Sequence, residues 1–249
     1  MLGANWDVTE EKLREKELER SNKDLGAFAY VASHDLKSPL RGIRQLATWI
    51  EEDLDTVPIE ISDHIALMKT RINRMENLLD NLLSYSRAGK TESNEVIEAV
   101  DTHLFIEELF SFISPPPSFK LRLHGDFPCI QVCKPLLQQV LQNLMGNAIK
   151  HRVSDEGELG IWIDQTPEKL YFHVADDGNA IEKAYHDRIF EMFQTLKPRD
   201  TVEGSGMGLA IVKRIVQNQG GELGLKTHEP KNSDGYSNEF YFTWPKKSP

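Results

Sequence analysis

The chain has 249 residues, 39% hydrophobic and 27% charged, the balance of a soluble globular protein of one or two domains. A formal charge of −10 argues against a nucleic-acid partner, because phosphate backbones need basic faces, so any polyphosphate has to be held locally. No apolar run approaches the roughly 20 residues that span a bilayer, and no signal peptide opens the chain, so a cytoplasmic location without membrane contact is expected. Cys129 and Cys133, four apart with no second ligand pair, read as idle or buried thiols.

From about residue 9 to residue 53 the pattern predicts helix: charged at first, then apolar at Leu25, Phe28 and Val31 or Ala32, and later at Ile43, Leu46 or Ala47, and Ile50. A helix of that length suits a coiled coil better than a globular core. Pro39 lies inside it and is expected to kink it, since proline removes a hydrogen bond and crowds the preceding turn. After "LDTVP" a second helix carries Ile61, Ile65, Met68, Ile72, Met75, Leu79 and Leu82, a seam alternating four and three. Gly89 is the expected left-handed cap. Two helices bury such a seam poorly alone, so a homodimer forming a four-helix bundle is expected.

From about residue 95 the pattern changes, with "TESNEV" as the expected hinge. "EVIEAVDTHLFIEELFSFI" predicts a strand and then a helix stopped by Pro115–Pro117. Alternation in "FKLRLHGDF", "ELGIWIDQ", "KLYFHVADD" and "NEFYFTWP" predicts strands, with helices at 135–151 and 207–219 between them. The sum is an α/β sandwich with a mostly antiparallel sheet.

Three stretches of this half carry chemistry. In "PLLQQVLQNLMGNAIKHR", Leu137, Leu141, Leu144, Met145 and Ala148 form one buried face, leaving Asn143, Asn147, Lys150 and His151 on an adjoining polar stripe. Carboxamide oxygens can ligate a hard cation and the bases can meet phosphate, although the same stripe also reads as a solvated helix face. "VADDGNAIE" puts Asp176 at a strand end before Gly178, where an acid can accept from a purine amino group; an ordinary turn has the same signature. "EGSGMGLAIVKRIVQNQGG" sets Gly204, Gly206 and Gly208 before a helix whose N-terminus favours phosphate, at neither the Rossmann nor the P-loop spacing. Between them "DRIFEMFQTLKPRDTVE" reads as an unstructured lid anchored by Phe190 and Phe193, or simply as a loop.

Together with "SHDLKSPL" at 33–40, the order of these motifs resembles a sensor histidine kinase of two-component signalling, over roughly residues 20–245. "FQTLKPRDTVEGSGMGL" looks most like its phytochrome-like branch, and "ANWDVTE" is similar to the end of a PAS sensory domain. The resemblance implies a coiled-coil signalling linker at 1–20, a HisKA-type dimerisation and phosphotransfer domain at 21–92, and a GHKL-type catalytic domain of the Bergerat ATP-binding fold at 93–249. It makes His34 the phosphate acceptor, Asp35 the group that orients or deprotonates it, and Ser38 the counterpart of a residue that positions water for dephosphorylating the partner. Asn147 would ligate Mg2+, Asn143, Lys150 and His151 would line the ATP triphosphate, and Asp176 would receive the adenine amino group. Gly178, Gly204, Gly206 and Gly208 would shape the pocket and lid, and a response-regulator receiver domain would take the phosphoryl group.

Two departures stand out. Ala180 replaces a glycine usual in this motif, so the turn is expected to differ or to be strained, and Asp177 is expected to add negative charge near the polyphosphate. They motivate a second reading as a dimeric pseudokinase that docks a regulator without catalysis. A third keeps the enzyme with regulator dephosphorylation dominant.

Overall fold

The computed structural model describes residues 33, 35–53, 58–88, 96–152, 154, 156–195 and 205–246. The chain divides into two compact units, Met1–Lys90 and Thr91–Pro249.

The first unit is a helical hairpin. Helix α1 covers 35–53 and runs through Pro39 without a break, and α2 is Ile59–Ala88. The predicted helix over 9–32, residues 54–57 of the "LDTVP" break and the Gly89 cap lie outside the described residues. Leu40 and Ala47 of α1 and Ile65 and Ile72 of α2 are buried. Ion pairs lace the two helices: Lys37 with Asp80, Arg44 with Glu76 at 2.7 Å, and Lys69 with Glu51. The predicted seam is covered only in part within one chain. Ile61, Met68 and Met75 are exposed, as are Leu36, Ile43 and Ile50 on α1.

In the second unit, β1 (Glu98–Asp101) leads into α3 (Thr102–Ile113). Asp101 caps α3 by accepting from the backbone N–H groups of His103 and Leu104. β2 (Phe119–His124), β3 (Cys129–Val132), α4 (Lys134–Lys150), β4 (Gly157–Gln165) and β5 (Lys169–Asp176) follow. α5 (Gly208–Asn218), β6 (Leu223–Thr227) and β7 (Asn238–Pro245) complete it. β1 pairs with β3, and a five-stranded sheet runs β2-β4-β5-β7-β6. Its β4–β5, β5–β7 and β7–β6 pairs are antiparallel and only β2–β4 is parallel.

Period-two alternation gives the sheet two faces. Leu159, Ile161, Phe172, Val174, Phe240 and Phe242 make one of them and are buried; Phe172 stacks on Phe242 at 4.8 Å. α4 packs on β4 and β5, and α5 on β6 and β7. α4 turns Leu137, Leu141, Leu144, Met145 and Ala148 inward as its spacing predicts, together with Val140. Burying each of the leucine, methionine and valine side chains contributes about 1.5–3 kcal/mol. The other face carries Trp162 stacked on His173 at 4.8 Å, with Tyr241 beside them.

Candidate functional site

The site grows from the end of β5. Asp176 is the last residue of that strand, and its side chain falls on the helix-covered side with Phe172 and Val174. It is buried, and both of its protein hydrogen bonds land on one oxygen: Oδ1 accepts from the Gly178 backbone N–H at 3.0 Å and from Asn238 Nδ2 at 2.8 Å. Among the described residues, Oδ2 has no protein hydrogen bond. Burial raises this carboxyl to about 6, against the lowering effect of those two donors.

Close approaches bring the predicted pieces together. A Cβ at Gly178 would sit 2.8 Å from Asp176 Oδ1 and 3.6 Å from the His151 carbonyl at the end of α4, so the turn past Asp176 needs a residue without one. A Cβ at Gly208, the first residue of α5, would lie 2.7 Å from Asn143 Oδ1 on α4. Gly206 has φ +68°, and a Cβ there would meet the Gln194 carbonyl at 2.6 Å. The Asp176 turn, the C-terminal part of α4 and the glycine approach to α5 thus come together as one candidate site.

Within it Asn143 donates through Nδ2 to the Gln139 carbonyl at 2.7 Å. The half-buried Asn147 side chain makes no hydrogen bond among the described residues, which suits a group that holds a ligand. Lys150 closes α4 half-buried, and His151 is its exposed cap. Neutral amides, a lysine and a helix N-terminus are a fitting donor set for a polyphosphate with a hard cation. Gly204 and His34 lie outside the described residues; Asp35 and Ser38 sit exposed on α1.

Of the two outcomes expected at Ala180, a different turn or a strained one, strain is absent: among the described residues, positive φ occurs only at Ser114, Phe193 and four glycines, of which Gly178 is not one. Asp177 also has a structural task, its carboxylate accepting the Glu158 backbone N–H at 3.1 Å while its carbonyl accepts from Lys231 Nζ at 2.7 Å, and its negative charge still reaches the site, where it raises the Asp176 carboxyl. The lid stretch expected to be unstructured begins with order, since Arg188–Phe190 forms a short 3-10 turn. Ile189 is buried and the half-buried Phe190 meets Phe240 edge-on at 6.5 Å, as expected of an anchor, whereas Phe193 is exposed.

Sequence reading missed Asn238, at the start of β7. Its side chain donates to Asp176 and to the Asn179 carbonyl and accepts the Ile181 N–H. Only the register that sets Asp176 opposite Asn238 reveals it.

Comparison with known proteins bears on this arrangement directly. Residues 24–91 match the His Kinase A (phospho-acceptor) domain. Residues 134–248 match the histidine kinase-, DNA gyrase B- and HSP90-like ATPase. The phytochrome-like protein Cph1 of Synechocystis is 33% identical over 243 residues, covering 92% of this chain and 30% of that protein. Cyanobacterial phytochrome B of Nostoc is 32% identical over 234 residues, covering 91% and 30%. The chain therefore spans less than a third of these relatives' length. Among solved structures, full-length ShkA in complex with AMPPNP shares the fold at TM-score 0.70 and 23% identity, over 90% of this chain and 47% of that one. Histidine kinase ThkA in complex with the response regulator TrrA does so at 0.58 and 20%, over 99% and 68%. No described helix is long and apolar enough to cross a membrane. With a phospho-acceptor hairpin followed by an ATPase-type sandwich, the chain belongs to the histidine kinase family, among relatives of the phytochrome-like kind.

Proposed function

We propose that this chain is the catalytic core of a two-component sensor histidine kinase, which phosphorylates His34 from ATP and passes the phosphoryl group to an aspartate of a response-regulator receiver domain. The observation that carries the reading is the buried Asp176 carboxylate, with one oxygen engaged and the other open, in a cleft shared with the α4 asparagines and the glycines before α5. Asp176 takes the adenine amino group, and Gly178 lets the backbone turn closely past it. Asn143, Lys150, His151 and the α5 N-terminus hold the triphosphate, with Gly204 and Gly206 shaping the approach. Asn147 offers its carboxamide oxygen to Mg2+, which, when bound, neutralises charge on the phosphates.

In the transfer, a neutral ring nitrogen of His34 bonds to the γ-phosphorus as the bond to the ADP oxygen breaks. An ordinary histidine is mostly neutral at pH 7. Asp35 holds the ring N–H, fixing the tautomer and stabilising the imidazolium that develops. The exposed Ser38, four residues on, supports a reverse service on the same partner, positioning water to dephosphorylate the regulator. Dimerisation through the uncovered apolar seam of α1 and α2 completes a four-helix bundle. A cytoplasmic location for this segment is part of the proposal.

The test is incubation with γ-labelled ATP and Mg2+. The reading predicts an acid-labile, base-stable label that is lost in His34→Ala and chased onto a receiver domain. Folded protein that takes no label contradicts it.

A further inference from the structure

Asn238 is almost wholly enclosed, at 3% exposure, and spends its carboxamide on a single structure. Nδ2 donates to Asp176 Oδ1 at 2.8 Å and to the Asn179 carbonyl at 3.0 Å, while Oδ1 accepts the Ile181 N–H at 2.9 Å. One side chain thus ties the carboxylate to both halves of the turn that follows it. Only a carboxamide fits this work: a hydroxyl has one donor, a carboxylate would face Asp176 as a like charge, and a leucine of similar size has neither donor nor acceptor. With Oδ1 loaded by Asn238 and by Gly178, rotation of the Asp176 carboxylate is blocked and Oδ2 is the oxygen presented to the cleft.

We infer that Asn238 is the positioning residue for base recognition, holding the Asp176 carboxylate ionised and oriented so that Oδ2 selects a heterocycle bearing an exocyclic amino group. The inference deepens the reading of Asp176 as the adenine acceptor and rests on it. It separates adenine from hypoxanthine, which carries an oxygen at that position and would set lone pair against lone pair. The charged neighbours are few. Asp177 raises the Asp176 carboxyl and Lys231 lowers it, with Asn238 the largest lowering influence; His151 contributes a backbone carbonyl to the turn.

The test compares ATP and inosine triphosphate binding by calorimetry between pH 5.5 and 8.5, in the wild-type protein and in Asn238→Ala, with melting temperatures alongside. Wild type should prefer ATP, losing the preference as pH falls through about 6. In Asn238→Ala that midpoint should move upward, ATP binding at pH 7 should fall about tenfold, and pH 8.5 should restore much of it. Inosine triphosphate binding should change little. Should the alanine variant melt below the assay temperature, Asn238→Ser gives the same upward displacement at smaller size. A midpoint that stays in place while both nucleotides weaken equally overturns the inference and leaves Asn238 a structural residue. A wild type blind to the base overturns the reading of Asp176 itself.

Discussion

Asn238 and Glu239 are consecutive on β7, yet their side chains leave opposite faces of the sheet and serve two carboxylates pushed in opposite directions. On the helix-covered face, Asp176 is met only by neutral N–H donors, and burial raises it to about 6. On the other face, Glu239 accepts from His173 at 2.9 Å and from Lys226 at 2.8 Å, and is lowered to about 2, chiefly by the His173 hydrogen bond and then by Lys226. Both acids are below a tenth exposed, so burial alone does not separate them. The partners do. An acid hydrogen-bonded to a cation and a ring N–H belongs to the scaffold, while one hydrogen-bonded by neutral amides alone is, on the proposed reading, kept for a donor from outside.

The two also differ in linkage. A raised carboxyl binds its proton more tightly in the folded chain, so the contribution of Asp176 is fully present below its ordinary 3.8 and is lost as pH rises through about 6. Glu239 does the reverse: its contribution is present above its ordinary 4.5 and is lost as pH falls through about 2.

Asp176→Asn should produce the largest effect and break the comparison at its functional end. ATP affinity should fall about 100-fold by calorimetry, while chemical denaturation at pH 8 should show the variant more stable by about 1–3 kcal/mol. Glu239→Gln should do the opposite, losing about 2 kcal/mol of stability at pH 7 with ATP affinity unchanged, the deficit closing as wild type is taken toward pH 2. His173→Gln, which keeps a donor but not the stacked ring, should cost about 1 kcal/mol by the same denaturation assay. Lys226→Met should cost the least, about 0.5 kcal/mol or less, because that lysine is half exposed and water screens its pair.

Local periodicity carried most of the fold. The inward face of α4, the strands ending at Asp176 and Pro245 and the glycines before α5 are all legible because each depends on near neighbours in the chain. β3, only four residues long, and β6, a half-buried "LGLKT" with a glycine at its second position, lack the alternation that would mark them. Asn238 and Glu239 looked like the start of one more strand, since their roles depend on pairing with residues more than 60 positions away. Asp177 was legible only in part: its charge reaches Asp176, but the claim of the Glu158 N–H on its carboxylate depends on a strand 19 positions back.

A side-chain carboxyl NMR titration of Asp176, with and without ATP, tests the central claim most directly. The account predicts a midpoint near 6 in the protein alone, displaced downward when ATP is added, because a bound amino donor stabilises the ionised form. A midpoint near the ordinary value of 3.8, or one that ATP leaves unmoved, would contradict it.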